Sequence, residues 1–196
     1  MRYLILKDML LQKWMFLYVF LYTIAIGVLG RPDGAHQVGT LLGLILILRV
    51  SSLDGRRSHI LLNSLPVPKW KIVGAKYVFV LCYAVGAMLG AFLVGYVFDS
   101  ATVSLAQPIL GVTAVAAVSS LYWPVHYRFE YAFVWLFIVF FAVSGAFPVV
   151  ESVVARLLPG TSSGDLPKAL AMAGIGAFMT AVSMWLSVRF YRQKEF

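Results

Sequence analysis

Long apolar runs alternate with short polar segments along the chain. Six of the runs are close to the roughly 17–25 residues that a helix needs to cross the hydrocarbon of a bilayer. They are Trp14–Leu29, Ala35–Ser52, Ile72–Phe98, Leu105–Trp123, Tyr131–Val150 and Lys168–Val188. The first is short. The second carries Arg49 near its end, where the long side chain can snorkel to the interface. The third is the longest: helix from Pro68 to Phe98 spans about 46 Å at 1.5 Å per residue, so its first turns are expected to stand in the cytosol. The pattern predicts an all-α, polytopic membrane protein, with residues 1–196 forming a single transmembrane domain.

Composition strengthens this reading. Of the 196 residues, 61% are hydrophobic and 12% charged, against about 25% charged in a typical soluble domain. The net charge of +8 does not point to nucleic acid, because the bases lie in short segments beside apolar spans and act as topological signals. Arg2, Lys7, Lys13, Arg49, Arg56, Arg57, Lys69, Lys71, Lys76, Arg128, Arg189, Arg192 and Lys194 fall on one side. Only Arg31, Arg156 and Lys168 fall on the other. The positive-inside rule then places both termini in the cytoplasm. "MRYLILKDMLLQKW" has charges among its apolar positions and no small-residue cleavage site, so no signal peptide is expected. Tyr122, Trp123, Tyr127 and Tyr131, with Trp14 and Trp185, read as an aromatic belt at the inner interface. Cys82 reads as a small buried hydrophobe. Gly86 and Gly90 stand at GxxxG spacing, which suits close helix packing in lipid; Gly111, Ala114, Ala117 and Ser120, and Gly174 with Gly176, offer similar small-residue stripes.

Several chemistries find no support. No Asp, Glu or Lys falls near the middle of a span, whereas an ion-coupled transporter needs such groups at that depth. There is no HExxH motif and no GxxxxGK[ST] phosphate loop. "GTSSG" (Gly160–Gly164) lies in a polar outer loop and reads as a flexible turn. His36, His59 and His126 stand in loops or at span ends. A lipid-modifying enzyme would have to draw on Asp8, Asp54, His59, His126 and Glu130, which are dispersed. No metal site and no catalytic residue is assigned.

The segment "DGRRSHILLNSLPVPKWKIVGAKY", Asp54–Tyr77, departs from this apolar background. Asp54 suits an N-cap, and helix then runs to Pro66. At 100° per residue, Arg56, His59 and Asn63 share one face while Leu61, Leu62 and Leu65 occupy the opposite one. Such a helix lies flat under a bilayer. Pro66 ends it, and Pro68 opens the next helix, where its missing N–H costs nothing. The alternative is an ordinary positive-inside loop that attracts anionic lipid.

The residues "RRSHILLNSLPVPKWKIVGAKY" resemble the loop between the second and third spans of type-2 ABC transporter permeases. The resemblance lies in the charged start, "LLNSLPV", and the basic residue, "IV" pair and "K-Y" that follow. It implies a coupling helix over residues 54–65 that docks on a separate ATPase, with Arg56, Arg57, His59, Leu61, Leu62, Asn63, Ser64 and Leu65 as contacts. It also implies six spans with both ends inside, an interfacial helix over residues 1–13, and an extracellular hairpin over residues 148–160, where Pro148 breaks the span. The form is most similar to small Gram-positive exporter permeases such as those of the phenol-soluble modulin exporter. The implied protein is a multi-pass permease subunit in a bacterial plasma membrane. It would export a hydrophobic or amphipathic cargo, peptide toxins among the possibilities, and pair with a second permease copy or paralogue. ATP and Mg would be bound by the partner ATPase, with no cofactor in this chain. A non-transporting sensor or immunity partner of an ATPase is the alternative.

Overall fold

The computed structural model describes residues 68–98, 104–129, 132–157 and 166–193, together with Leu41, Ile45 and Ile47. Four long helices account for nearly all of them: α1 Lys69–Phe98, α2 Ala106–Arg128, α3 Ala132–Leu157 and α4 Leu166–Gln193. No strand occurs among the described residues. Three of these helices, α1 over Lys69–Gly90, α2 and α4, are long and apolar enough to cross a membrane. Leu41, Ile45 and Ile47 are helical as well.

The start of α1 follows from local chemistry. Pro68 cannot donate a backbone hydrogen bond, but its carbonyl accepts from the Lys71 N–H at 2.9 Å and closes the first turn. At the far end of α2, the Phe129 N–H closes on the Val125 carbonyl while Phe129 itself turns to extended backbone. Two boundaries differ from the hydropathy pattern. The helix α2 continues through Pro124 to Arg128, beyond the expected end at Trp123. The helix α3 continues through Pro148 to Leu157, where a break was expected. A proline removes one i→i−4 bond, and in a membrane bundle the freed carbonyl can be satisfied by side chains of neighbouring helices, so the helix survives. The first ten residues of the expected 148–160 hairpin therefore belong to α3, and residues 158–160 lie outside the described residues.

At the centre lies α2, which packs along α4 for most of its length and also against α1 and α3; α3 and α4 meet at few points. Thr113 faces Gly176, the Ser120 carbonyl accepts from Ser183, and Tyr127 crosses rings with Tyr191. These contacts recur about every seven residues, the spacing of a left-handed crossing between parallel helices. Met88 lies against Gly111 while Tyr77 reaches Ser183 and Ser187, so α1 runs antiparallel to both. One end of the bundle thus gathers Lys69, Lys71, Lys76, Arg128, Arg189 and Arg192, and the other holds Arg156 and Lys168.

The sorting of side chains is that of a membrane bundle. Ser119, Ser120, Ser183, Ser187 and Thr113 are buried, while Leu93, Val97, Phe141, Phe178 and Leu157 are exposed. Lipid is as apolar as leucine, so large aliphatic groups gain nothing by turning inward, and small or polar groups gain partners there. The main cluster joins Ile47 to α1, α2, α3 and Tyr191 of α4. A smaller one joins Ala114, Phe147, Val154 and Met172.

Candidate functional site

Near the basic end, three helices are tied together by hydroxyl groups, and the tie begins with Pro124. Its ring nitrogen carries no proton, so the carbonyl four residues earlier, that of Ser120, loses its helical donor. Ser183 on α4 supplies the replacement: its Oγ donates to the Ser120 oxygen at 2.6 Å. The Ser120 hydroxyl itself turns back to the Ala116 carbonyl.

Proton counting orients the remainder. A serine hydroxyl has one proton, and that of Ser183 is already committed to Ser120. Tyr77 of α1 therefore donates to Ser183 Oγ at 2.7 Å, and Ser187 donates to the Tyr77 oxygen at 2.8 Å. The result is a one-way chain from Ser187 through Tyr77 and Ser183 to the carbonyl that Pro124 left open. All three hydroxyl residues are buried. Ser183 and Ser187, four positions apart on α4, share one helical face.

Aromatic rings surround this chain. The Trp123 indole is wholly buried; it stands 6.3 Å from the Tyr77 ring and stacks on Tyr127 at 5.8 Å. Tyr127 meets Tyr191 edge-on at 5.3 Å. The ammonium of buried Lys76 lies 5.5 Å from the Trp123 ring centre, a cation–π contact worth about 2 kcal/mol when desolvated. His126 packs on Tyr122 and Trp123. Toward the surface, Arg128 covers the Phe190 ring and Arg189 the Trp185 ring.

These positions correct two expectations. Tyr122, Trp123 and Tyr127 were expected at an interfacial belt, but they are core residues; of the tryptophans and tyrosines assigned to the belt, Trp185 is exposed, at 61%. Cys82, expected to be buried, is exposed on α1. The residues Arg56, Arg57, His59, Leu61, Leu62, Asn63, Ser64 and Leu65 lie outside the described residues, as does the 1–13 segment. Gly86 is on α1 with nothing within 4 Å of a Cβ placed there, and Gly90 is half-buried. Among the glycines whose surroundings are described, Gly111 stands close against Met88 and Gly176 against Thr113.

No group of three His, Cys, Asp or Glu side chains that could hold a metal occurs among the described residues. What the joint can do is mechanical. It fastens the first third of α1 to α4 and, through the Ser120 carbonyl, to α2.

Residues 3–192 match the family described as ABC-2 family transporter protein. The chain belongs to that family. No curated protein and no solved structure matches it. Membership of the ABC-2 family, together with the apolar helices, makes the chain an integral membrane protein and the transport component of an ABC transporter. The ATPase of such a transporter is a separate partner.

The joint went unrecognised in the sequence, although its signals were present. Pro124 inside an apolar run announces an open carbonyl at Ser120, and Ser183 with Ser187 form a polar stripe at helical spacing.

Proposed function

We propose that this ABC-2 family protein is the permease subunit of an ATP-driven exporter in a bacterial plasma membrane, working as a pair of permeases with two ATPase subunits. Residues 54–65 form the coupling helix on the cytoplasmic side. ATP brings the ATPases together, each pushes on one coupling helix, and the motion enters the membrane through α1.

The observation that supports this reading is the position of the hydroxyl chain. The helix α1 begins at Lys69, just after the proposed coupling segment, and Tyr77 fastens it to α4 and α2 only two turns later. A displacement at the foot of α1 is therefore passed to two further helices and not absorbed by bending. Packed, hydrogen-bonded interfaces of this kind switch between discrete arrangements. The gathering of bases at the end that carries Lys69 and Arg192 supports placing that end in the cytoplasm. No Asp, Glu or Lys falls near the middle of a span, which suits a hydrophobic or amphipathic cargo, since a strongly charged solute would be costly to desolvate there.

Reconstitution with the ATPase in vesicles tests the proposal. Cargo-stimulated ATP hydrolysis and outward cargo movement are expected. Stable association with the ATPase without any cargo dependence would assign the chain to a sensor or immunity role instead.

A further inference from the structure

The helix α4 has two opposite faces. Ser183, Ser187 and Tyr191 turn into the bundle. At 100° per residue, Phe178, Val182, Trp185, Arg189 and Arg192 fall within about 80° of one another on the far side, and all five are exposed. Toward the basic end this stripe passes from apolar groups through an indole to two guanidinium groups. Its length matches one leaflet. Phe178 stands near the middle of α4, and the rise from there to Arg189 is about 16 Å at 1.5 Å per residue, half of a hydrocarbon core of about 30 Å. Arg189 does not reach away into water: its guanidinium lies 5.8 Å from the Trp185 ring centre, one turn back toward the bilayer. An exposed tryptophan at a span end marks the headgroup level, so Arg189 carries its charge where the phosphates of a leaflet lie.

Charge selects the occupant. Among the described residues no Asp or Glu stands at this end, so neither arginine has an ion-pair partner there. Over the whole chain the charge pattern puts thirteen bases on this side against four acids, Asp8, Asp54, Glu130 and Glu195. The chain's own segments therefore leave most of these bases without a counter-charge. A second copy brings the same excess and is repelled. The missing anion is foreign to the chain, and two guanidinium groups three positions apart on one helical face suit a phosphate diester, whose oxygens each can grip through paired N–H groups. An acidic protein docking from the cytosol would meet Arg192, but not a guanidinium folded back over an indole.

We propose that Arg189 and Arg192 bind the phosphate of an anionic phospholipid in the leaflet at the basic end, with Trp185 against its glycerol region. This inference rests on the chain lying in a bilayer and is independent of the cargo and of the ATPase, neither of which enters the test.

The whole protein in phosphatidylcholine vesicles with a minor share of phosphatidylglycerol provides the test, bromine being carried near the head of the acyl chains of one lipid or of the other. The fluorescence that Trp185 contributes is the difference between the parent protein and Trp185→Phe. Brominated phosphatidylglycerol should quench it well beyond its share of the bilayer. Arg189→Gln and Arg192→Gln should each lower that preference about fivefold, the worth of one base near an anionic surface. Lys69→Gln with Lys71→Gln removes as much charge from the foot of α1 as both replacements together, and should leave the preference largely intact. Quenching by the two lipids in proportion to their abundance would overturn the proposal. An equal loss in the lysine variant would do so too, by showing a diffuse field and not a site. Quenching by neither lipid would mean that protein covers this face, and would equally end the case.

Discussion

Tyr77 and Ser183, 106 positions apart in the chain, hydrogen-bond at 2.7 Å and join α1 to α4 inside the bundle. The bond exists because Ser183 has already given its proton to Ser120, whose carbonyl Pro124 cannot serve. A proline in one helix thereby determines how two others are fastened.

Replacing members of this chain should give non-additive losses. Tyr77→Phe and Ser183→Ala are each expected to cost about 0.6–1.7 kcal/mol, the range of interhelical hydrogen bonds in membranes. The double variant should cost less than the two together, because the same bond is removed twice. Reversible unfolding in mixed micelles measures the cycle, and strict additivity would show that the two hydroxyls act independently.

Pro124→Ala restores an N–H that competes for the Ser120 carbonyl. Stability of α2 itself should rise, by up to about 3 kcal/mol, the preference for alanine over proline in a helix interior, yet Ser183 should lose its exclusive acceptor. We expect weaker coupling between Tyr77 and Ser183 in a Pro124→Ala background. A coupling unchanged from the parent protein would refute the role assigned to the open carbonyl.

The glycines should rank by what stands beside them. A Cβ at Gly176 meets the stiff Thr113 side chain at 3.0 Å, whereas one at Gly111 meets the flexible end of Met88, with Sδ at 2.5 Å, and one at Gly86 meets nothing. Gly176→Leu should therefore destabilise by about 1–3 kcal/mol, as overpacking does, Gly111→Leu by less, and Gly86→Leu hardly at all within one chain. If Gly86 and Gly90 seat a second permease copy, Gly86→Leu should instead lower subunit cross-linking. Thermal melts and cross-linking yields separate the two effects.

Tryptophans in the core and at the periphery should also behave differently. Trp123→Ala opens a cavity beneath Lys76 and Tyr77 and should cost about 3–5 kcal/mol. Trp185→Ala removes an exposed ring and should stay within about 0.5 kcal/mol. Equal losses would mean that Trp123 is not the centre of the cluster.

For the proposed coupling segment, Leu62→Asp or paired Leu61→Asp and Leu65→Asp should lower ATPase co-purification and cargo-stimulated hydrolysis while the permease remains folded in the membrane. Wild-type values for both would remove residues 54–65 from the coupling role.

Hydropathy and charge marked out much of this protein. Apolar stretches bounded by bases delimited α1 and α4 to within a few residues, and Pro68 signalled the start of α1 because a proline is harmless only in a first turn. The charge asymmetry anticipated that Lys69, Arg128 and Arg192 would gather at one end. The expected aromatic belt failed at Trp123 and Tyr127 for a physical reason: a ring near a span end suits either the headgroup zone or a neighbouring helix, and only the neighbour decides. Pro148 misled in the same way, since a proline ends an isolated helix but not one whose open carbonyl can find other partners.

What the sequence determined by itself is where the chain can cross lipid and at which end its charge collects, because both depend on local composition. Which face of each helix turns inward was decided by tertiary structure. In a bilayer both faces of a span are apolar enough, so hydropathy does not choose between them. The choice lies with small residues and hydroxyls, and their value depends on partners in distant segments, as Tyr77 finds Ser183 and Gly176 finds Thr113.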